Sequence, residues 1–294
     1  MPSASGGNRV LEPLESIARV REAVAAARGS GRRVGFVPTM GALHEGHTRL
    51  IERCRAEAGL VVVSIFVNPT QFGPNEDLTH YPRTLLEDLR RCDAAGADLV
   101  FVPTEATIYP RGRSATFVEV PGLSHMLEGA SRPDHFRGVA TVVLALFEIV
   151  RPDLAVFGQK DYQQQLLIRR MIEDLHVPVE LVVVPTVREQ DGLAMSSRNR
   201  YLDPAQRKAA SVLFRALQHA RDSVAGGERD ANRVRQILDR TISLELSVKL
   251  DYVEVADANS LESLVVIELE RRAVALVAAW VGSTRLIDNL ILTE

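Results

Sequence analysis

The sequence predicts an α/β fold, in which a parallel β-sheet carries helices on both faces and a smaller α+β domain follows. Short apolar runs alternate with helical patterns over the first two thirds of the chain, and this alternation stops after Val184. The 294 residues correspond to roughly two domains, at about 150 residues each. The composition, 46% hydrophobic and 25% charged, excludes disordered and collagen-like chains.

Five apolar runs bounded by Pro, Gly or polar residues predict the buried strands: Val34–Val37, Leu60–Val67, Leu99–Val102, Leu154–Phe157 and Val179–Val184. Between them lie helical patterns. The clearest covers Phe136–Val150, where apolar side chains recur every three or four residues until Arg151-Pro152-Asp153 ends the pattern. Parallel strands end at one edge of a sheet, so we expect the ligand site there.

A second domain is predicted after the polar loop Pro185–Asn199. Asp203 precedes Pro204 and Gln206 follows three residues later, a combination typical of a capped helix start. We expect helices over Pro204–Val224 and Asp230–Leu244, separated by Gly226-Gly227, and strands near Leu250–Val255, Val265–Glu270 and Ala273–Val281. The predicted organisation is a Rossmann-like domain over residues 1–185 and a smaller α+β C-terminal domain over residues 186–294.

Charge and cysteine content indicate which binding partners and which cellular compartment to expect. With 35 Lys+Arg against 38 Asp+Glu and a net charge of -3, the chain lacks the basic surface expected of nucleic-acid binding. Cys54 and Cys92 have no metal-ligand spacing, and two cysteines suit a reducing cytoplasm. Residues 1–8 lack signal-peptide features, and the apolar runs are shorter than the roughly 18 residues of a membrane helix. We expect a cytoplasmic protein without nucleic-acid or membrane partners.

A phosphate-binding turn is predicted between the first of these strands and the helix that follows it. There His44-Glu45-Gly46-His47 combines two imidazoles with the positive end of a helix, and Gly46 allows a nucleotide to approach the backbone. The alternative is that these histidines only cap the helix. No Walker-type loop and no Gly-x-Gly-x-x-Gly motif occurs in the sequence, so a nucleotide would bind in another way.

Five motifs occur in a characteristic order: Pro-Thr-Met-Gly-Ala-Leu-His-Glu-Gly-His at 38–47, Ile-Phe-Val-Asn-Pro-Thr-Gln-Phe at 65–72, His-Phe-Arg-Gly-Val at 135–139, Phe-Gly-Gln-Lys-Asp-Tyr-Gln-Gln at 157–164 and Gly-Leu-Ala-Met-Ser-Ser-Arg-Asn at 192–199. The His-x-Gly-His motif is similar to the signature of the nucleotidyltransferase superfamily. The full set resembles the pantothenate synthetase family over nearly the whole chain. This resemblance implies a cytoplasmic homodimer that condenses pantoate with β-alanine, uses ATP and Mg²⁺, and releases AMP and pyrophosphate.

The chemistry of such a reaction agrees with the residue types present. A carboxylate is a poor electrophile, so ATP must first convert it to an acyl adenylate. Stabilising the pentacoordinate phosphorus and the departing pyrophosphate requires cations and hydrogen-bond donors, and needs no covalent nucleophile. Such groups are present at His44, His47, Lys160, Ser196, Ser197 and Arg198.

The resemblance also implies a role for each matching residue. Catalytic roles fall to His47, His44 and Lys160. ATP binding is implied for Met40, His44, His47, Gly158, Gln159, Lys160, Asp161, Val187, Met195, Ser196, Ser197 and Arg198. Binding of pantoate or β-alanine is implied for Gln71, Gln164, Met40 and Asn68. The first domain would thus bind nucleotide and pantoate, and the second would carry the second phosphate loop.

One position departs from the family pattern. Gln159 stands where the family commonly has Glu, so a carboxylate that could offset Lys160 or assist Mg²⁺ is lost. The resemblance leaves Asp88 as a candidate metal ligand. The role of Arg132, which we expect in a mobile loop, stays open.

Other interpretations remain at this stage. The chain could be a nucleotidyltransferase acting on another small acid or a phosphate ester, although Gln71 and Gln164 favour pantoate. It could be a nucleotide-binding regulatory module, but such a module should lack one of the two phosphate loops. Lys160-Asp161 could be a solvated pair, and residues 163–165 a polar helix face.

Overall fold

The computed structural model describes residues 11–73, 76–113 and 116–293. The helices and strands are, in chain order, β1 (Pro13–Leu14), α1 (Ile17–Gly29), β2 (Val34–Thr39), α2 (Glu45–Glu57), β3 (Leu60–Ile65), α3 (Leu85–Ala94), β4 (Leu99–Phe101), α4 (Glu105–Ile108), α5 (Pro121–Ser124), α6 (Glu128–Ser131), α7 (His135–Val150), β5 (Leu154–Gly158), α8 (Tyr162–Asp174), β6 (Glu180–Val184), α9 (Pro204–Ala210), α10 (Val212–Ala225), α11 (Ala231–Ser243), β7 (Val248–Asp257), β8 (Ala273–Val281) and β9 (Thr284–Ile291). Short 3-10 turns cover Pro69–Gln71, Asp77–Thr79 and Ser197–Tyr201.

The predicted parallel sheet is confirmed. Its strand order is β1-β4-β3-β2-β5-β6, and all five strands predicted from apolar runs are present. β2 and β3 are paired in parallel from Val34↔Leu60 to Thr39↔Ile65. β1 was not predicted because its two residues, which pair with Val100 and Phe101, are too few to create a periodic signal. The order reverses between β2 and β5, the point where open α/β sheets bind ligands.

Helix α7 confirms the predicted apolar pattern. It begins one residue early, at His135, and ends at Val150, where Arg151 takes a left-handed backbone with φ of 50°. Gly138 is required in this helix, because a Cβ atom there would lie 2.5 Å from the carbonyl oxygen of Thr70. Among the described residues, no helix combines the length and apolar character needed to cross a membrane.

The packing separates two compact units. Of the described residues, the first contains those within 11–120, 132–157 and 168–184, and the second contains those within 121–131, 158–167 and 185–293. Two internal segments join the second unit because their side chains pack within it. For example, the Tyr162 hydroxyl donates to the carbonyl of Ala258, and the Gln163 amide donates to the carbonyls of Leu123 and Met126. The contiguous domain boundary near residue 185 stays a prediction.

The second unit contains the antiparallel sheet β7-β8-β9. Its apolar core includes Val234 and Leu238 of α11 and Val277 of β8, all without solvent exposure. The predicted helix over residues 204–224 is divided at Ser211 into α9 and α10. The predicted cap is confirmed, because the Asp203 carboxylate accepts the backbone N–H of Gln206.

The strand predicted over Val265–Glu270 is wrong. Val265 and Val266 are exposed while only Ile267 is fully buried, and this segment makes just an isolated bridge, between Val266 and Asp230. The edge of β8 is instead paired with β9, which was not predicted. β9 follows β8 through the two-residue turn Gly282-Ser283, and its buried Asp288 and Asn289 interrupt the apolar alternation that marks a strand.

Candidate active site

In the first unit, the loop after β2 places two histidines at the start of α2. The Nδ1 atom of His44 accepts the backbone N–H of Gly46 at 3.1 Å, so His44 caps the helix. The Nδ1 atom of His47 accepts the backbone N–H of His44 at 3.3 Å. The two rings lie 4.2 Å apart between centroids. Capping, the alternative considered above, is therefore part of the geometry and involves one nitrogen of each ring.

The other nitrogen of each histidine, Nε2, can act as a hydrogen-bond donor, which is what binding of phosphate requires. A ring nitrogen that accepts a hydrogen bond carries no proton, so a neutral His44 or His47 holds its proton on Nε2. Each Nε2–H group can donate to a phosphoryl oxygen. The N-terminus of α2 adds the positive end of a helix dipole at the same place. The pair is thus suited to bind an anion.

Asp88 of α3 lies under this loop and is 1% exposed. Its two carboxylate oxygens accept the backbone N–H groups of Ala42 and Leu43, at 3.0 and 2.8 Å. The Thr84 hydroxyl lies 3.2 Å from both oxygens. These three donors take up most of the lone pairs of the carboxylate, and the described residues contain no cluster of three or more His, Cys, Asp or Glu that could hold a metal. The geometry does not fit a metal ligand.

Gln71 and Asn68 form a buried polar cluster near Met40. The side-chain amide of Gln71 lies 2.9 Å from the Sδ atom of Met40, and its Oε1 accepts from Asn68 at 3.2 Å. Asn68 also donates to the carbonyl of Gly138 and accepts from the Tyr109 hydroxyl at 2.8 Å. Since both amide hydrogens of Asn68 have partners, its side chain orients Gln71 in this structure. The direct roles predicted for Met40, Asn68 and Gln71 stay predictions.

A second group supports Gln71 through its backbone. The Nδ1 atom of His135 lies 2.8 Å from the Gln71 carbonyl oxygen, and Arg132 reaches the same oxygen at 3.4 Å. Arg132 also makes a bidentate ion pair with Glu76, at 2.8 and 2.5 Å. The sequence left the role of Arg132 open, and the structure places its guanidinium in this network.

In the second unit, the turn after β5 carries Gly158, Gln159, Lys160 and Asp161. The side chain of Asn289, which is 2% exposed, donates to the carbonyl oxygens of Gln159 at 3.1 Å and Lys160 at 2.8 Å. The Lys160 ammonium lies 3.8 Å from the Asp161 carboxylate. Asn289 therefore holds the backbone of the turn in place, while the side chain of Lys160 is partly exposed to solvent.

The loop from Val187 to Arg198 folds back on itself. The backbone N–H of Met195 donates to the carbonyl of Val187 at 3.0 Å, which brings the two predicted adenine contacts side by side. Arg188 makes a bidentate pair with Asp288 at 2.6 and 3.0 Å and lies over the Phe214 ring. Burial raises the pKa of Asp288, and the guanidinium of Arg188 opposes that shift.

The predicted phosphate loop of the second unit forms a 3-10 turn over Ser197–Tyr201. Ser196 caps it, because its hydroxyl accepts the backbone N–H of Arg198 at 3.3 Å. Ser196, Ser197 and Arg198 are all partly exposed, as a ligand-binding loop requires. Their predicted contacts with ATP stay predictions.

Neighbouring glutamines of α8 differ in environment. Gln163 is 3% exposed, donates to two carbonyls of the segment 121–131 and accepts the backbone N–H of Glu128 at 3.1 Å. Gln164 is only partly buried. Gln163 is therefore structural, and Gln164 is the glutamine that remains available for the predicted contact with pantoate.

The structure thus groups the predicted residues within each unit. Met40, His44, His47, Asn68 and Gln71 lie in the first unit, and the segments 158–164 and 187–198 lie in the second. Sequence reasoning missed the residues that support them: Asp88 as a hydrogen-bond acceptor, Arg132, His135, Asn289 and the pair of Arg188 with Asp288. Two signals were available in the sequence: His135 opens the motif at 135–139, and Asp288-Asn289 are polar residues within the apolar run 286–292.

Known proteins resemble the chain over almost its full length. The model of the family described as pantoate-beta-alanine ligase matches residues 12–291. The pantothenate synthetase of Moorella thermoacetica is 52% identical over 282 residues, covering 96% of this chain and 99% of that protein. The enzyme of the same name from Herpetosiphon aurantiacus is 53% identical over 271 residues, covering 92% and 98%.

Solved structures agree. Pantothenate synthetase from Thermus thermophilus has a TM-score of 0.90 and 44% identity, covering 97% of this chain and 100% of that one. The pantoate-beta-alanine ligase from Francisella tularensis, complexed with beta-gamma ATP and beta-alanine, has a TM-score of 0.76 and 32% identity, covering 96% and 98%. The chain therefore belongs to the pantoate–β-alanine ligase family, whose reaction forms a carbon–nitrogen bond.

Proposed function

We propose that this ligase condenses pantoate with β-alanine in two steps, through a pantoyl adenylate, with the residues described above in the roles that the sequence motifs predict. The observation that carries the assignment of roles is the histidine pair at the start of α2. His44 and His47 each accept a backbone N–H at Nδ1, so each neutral ring has its proton on Nε2, from which it can donate to phosphate.

In the first step, a carboxylate oxygen of pantoate attacks the α-phosphorus of ATP. A new oxygen–phosphorus bond forms, the bond to the bridging oxygen breaks, and pyrophosphate leaves with the electron pair. Negative charge grows on the phosphoryl oxygens and on the leaving group, so preorganised donors stabilise this transition state. His44, His47 and Lys160 supply those donors, and His47 is the proposed proton donor.

In the second step, the neutral amine of β-alanine attacks the acyl carbon of the adenylate. A carbon–nitrogen bond forms, the bond from the acyl carbon to the AMP oxygen breaks with its electron pair left on AMP, and the amine nitrogen loses a proton to solvent. The acyl carbonyl and the hydroxyls of the pantoyl group must be oriented for this attack. Gln71 and Gln164 suit that task because an amide both donates and accepts hydrogen bonds.

The nucleotide contacts are assigned to two groups of residues. Backbone near Met40, together with His44 and His47, is proposed to face the phosphates. Gly158, Gln159, Lys160, Asp161, Val187, Met195, Ser196, Ser197 and Arg198 are proposed for the remaining contacts. The Val187–Met195 backbone pairing supports an adenine role for those two residues.

Mg²⁺ is proposed to accompany ATP as a counterion of its phosphates, with no described protein carboxylate as a demonstrated ligand. The geometry of Asp88 argues against its use as a ligand. A homodimer in the cytoplasm is proposed from the family resemblance. The low cysteine content and balanced charge agree with that compartment.

The test is a product analysis with ATP, pantoate and β-alanine, each omitted in turn. We expect AMP, pyrophosphate and the amide in equal amounts only when all three are present. Other small acids and phosphate esters, offered in place of pantoate, test the alternative that the chain is a nucleotidyltransferase for one of those compounds. Faster turnover of such a compound would replace pantoate as the proposed substrate.

A further inference from the structure

We infer that Asp88 is a positioning residue for the phosphate-binding histidines, acting through the backbone of the loop that precedes them. This inference rests on the proposed role of His44 and His47 in the reaction. Asp88 touches neither imidazole. It binds the two backbone N–H groups that come directly before His44 in the chain.

The hydrogen bonds around Asp88 are well suited to fix that loop. The N–H groups of Ala42 and Leu43 belong to residues that are 0% and 1% exposed, so water cannot replace the carboxylate. Hydrogen bonds to a charged acceptor are stronger than neutral ones, and burial removes competition from solvent. The Thr84 hydroxyl, at 3.2 Å from both oxygens, holds the carboxylate itself in place.

The loop needs such support because its backbone is strained. Gly41 and Ala42 both have positive φ, 82° and 51°, and alanine rarely adopts that conformation. A Cβ atom on Gly41 would lie 3.1 Å from an Asp88 oxygen, so glycine allows the close approach. Without the carboxylate, two buried N–H groups would lack partners and the strained loop would have other conformations available.

The consequence for catalysis follows from position along the chain. Leu43, held at 2.8 Å, is bonded directly to His44, whose own N–H binds His47. A small shift of this loop therefore moves His44 relative to α2 and disturbs the hydrogen bond that orients the His47 ring. Since displacements of about 1 Å can slow a reaction about a hundredfold, the loss should fall on the rate of adenylate formation.

The decisive variant is Asp88→Asn, which keeps size but turns an NH₂ group toward a backbone donor. We expect kcat for pyrophosphate exchange to fall about ten- to a hundredfold, with KM for pantoate changed less than about twofold. Thr84→Val, which keeps both carboxylate–backbone bonds, should cause a smaller loss of the same kind. Glu87→Gln is the matched control, because Glu87 lies on the same helix and forms exposed ion pairs with Arg90 and Arg91.

Three outcomes would overturn the inference. They are unchanged kcat in Asp88→Asn, recovery of its activity at high Mg²⁺ concentration as expected of a metal ligand, or a loss equal to that of Glu87→Gln. If circular dichroism shows that Asp88→Asn does not fold, Thr84→Val becomes the test. A partial loss of kcat in Thr84→Val then supports the inference, and an unchanged kcat contradicts it. Absence of exchange in the wild-type enzyme would instead contradict the proposed function.

Discussion

At the scale of single residues, the two nitrogens of each histidine explain how one motif can cap a helix and also serve the proposed binding of phosphate. Nδ1 of His44 and of His47 serves the backbone, so replacing either ring removes a cap and a donor together. His44 and His47 could be predicted from the sequence, because both lie within one short motif. The residues that hold the site loops in place could not be predicted in this way, since Asp88 and Asn289 lie far in sequence from the loops that they bind.

His47→Ala should slow adenylate formation about a hundredfold, the scale for losing one preorganised donor to developing charge. The exchange of labelled pyrophosphate into ATP measures that step. The free energy of unfolding should fall by only about 1 kcal/mol, the usual cost of a lost cap, because His47 lies partly exposed on the first turn of α2.

His219→Ala is the control for this variant, because His219 is an exposed histidine on α10 near Thr241. The same rate loss in both variants, or a loss in His47→Ala explained entirely by unfolding, would remove His47 from the catalytic group.

Gln163 and Gln164 offer a matched pair of substitutions on one helix. Gln164→Leu should weaken pantoate binding about ten- to a hundredfold, since an unpaired polar group costs about 1–3 kcal/mol. Affinity for ATP should stay nearly constant. Gln163→Leu should instead lower the free energy of unfolding, because it removes three hydrogen bonds to the segment 121–131.

Titrations with ATP alone, and with pantoate in the presence of a non-hydrolysable ATP analogue, separate these effects. An equal loss of both affinities in Gln164→Leu would show that this residue supports the architecture and does not contact pantoate.

At the scale of elements, a buried ion pair attaches α6 to the C-terminal sheet. Arg285 of β9 makes a bidentate pair with Glu128 at 2.6 and 2.9 Å, and the Tyr252 hydroxyl donates to the same carboxylate. Glu128 is only 6% exposed, so it depends on these partners. Burial, together with Glu128, raises the pKa of Tyr252, which stays protonated and remains a donor.

Arg285→Met should lower the free energy of unfolding by about 3–5 kcal/mol, because it leaves a buried carboxylate unpaired. Urea denaturation measures the change. In Arg285→Met combined with Glu128→Leu, part of the loss should be recovered, since no buried charge is then unpaired and Asp251, the other partner of Arg285, is partly exposed. Arg233→Met, at an exposed pair with Glu228, is the control and should change stability by less than about 1 kcal/mol. A loss in Arg285→Met no larger than in the control would contradict the role of this pair.

The elements also show where sequence patterns lose their information. The buried strands of the parallel sheet are continuous apolar runs, so Val34–Val37 and Leu154–Phe157 were predictable without knowledge of their partners. The segment 265–270 has the composition of a strand, yet it forms no ladder because β9 occupies the edge of β8. Strand pairing is a long-range property, and a local pattern cannot decide between two candidates for one edge.

At the scale of the whole molecule, both cysteines are buried within the first unit and protected as thiols. Burial raises the pKa of Cys54 and of Cys92 from 9.0 to about 12. The reactive thiolate is therefore scarce at pH 8. Because the folded pKa exceeds the unfolded one, the contribution of these thiols to stability is complete below about pH 9 and is lost as pH rises toward 12.

We accordingly expect negligible labelling of the native protein by a thiol reagent at pH 8, and two thiols labelled after denaturation in urea. Activity should survive the native treatment. Rapid native labelling accompanied by inactivation would contradict both the burial and the absence of a catalytic thiol.

The central claim, that activation of the acid precedes amide formation, is tested most directly by isotope exchange. The enzyme is incubated with ATP, Mg²⁺, pantoate and labelled pyrophosphate, and β-alanine is left out. The two-step account predicts that label enters ATP, because a bound pantoyl adenylate forms and reverts in the absence of the amine. Label that enters ATP only after β-alanine is added would contradict the account.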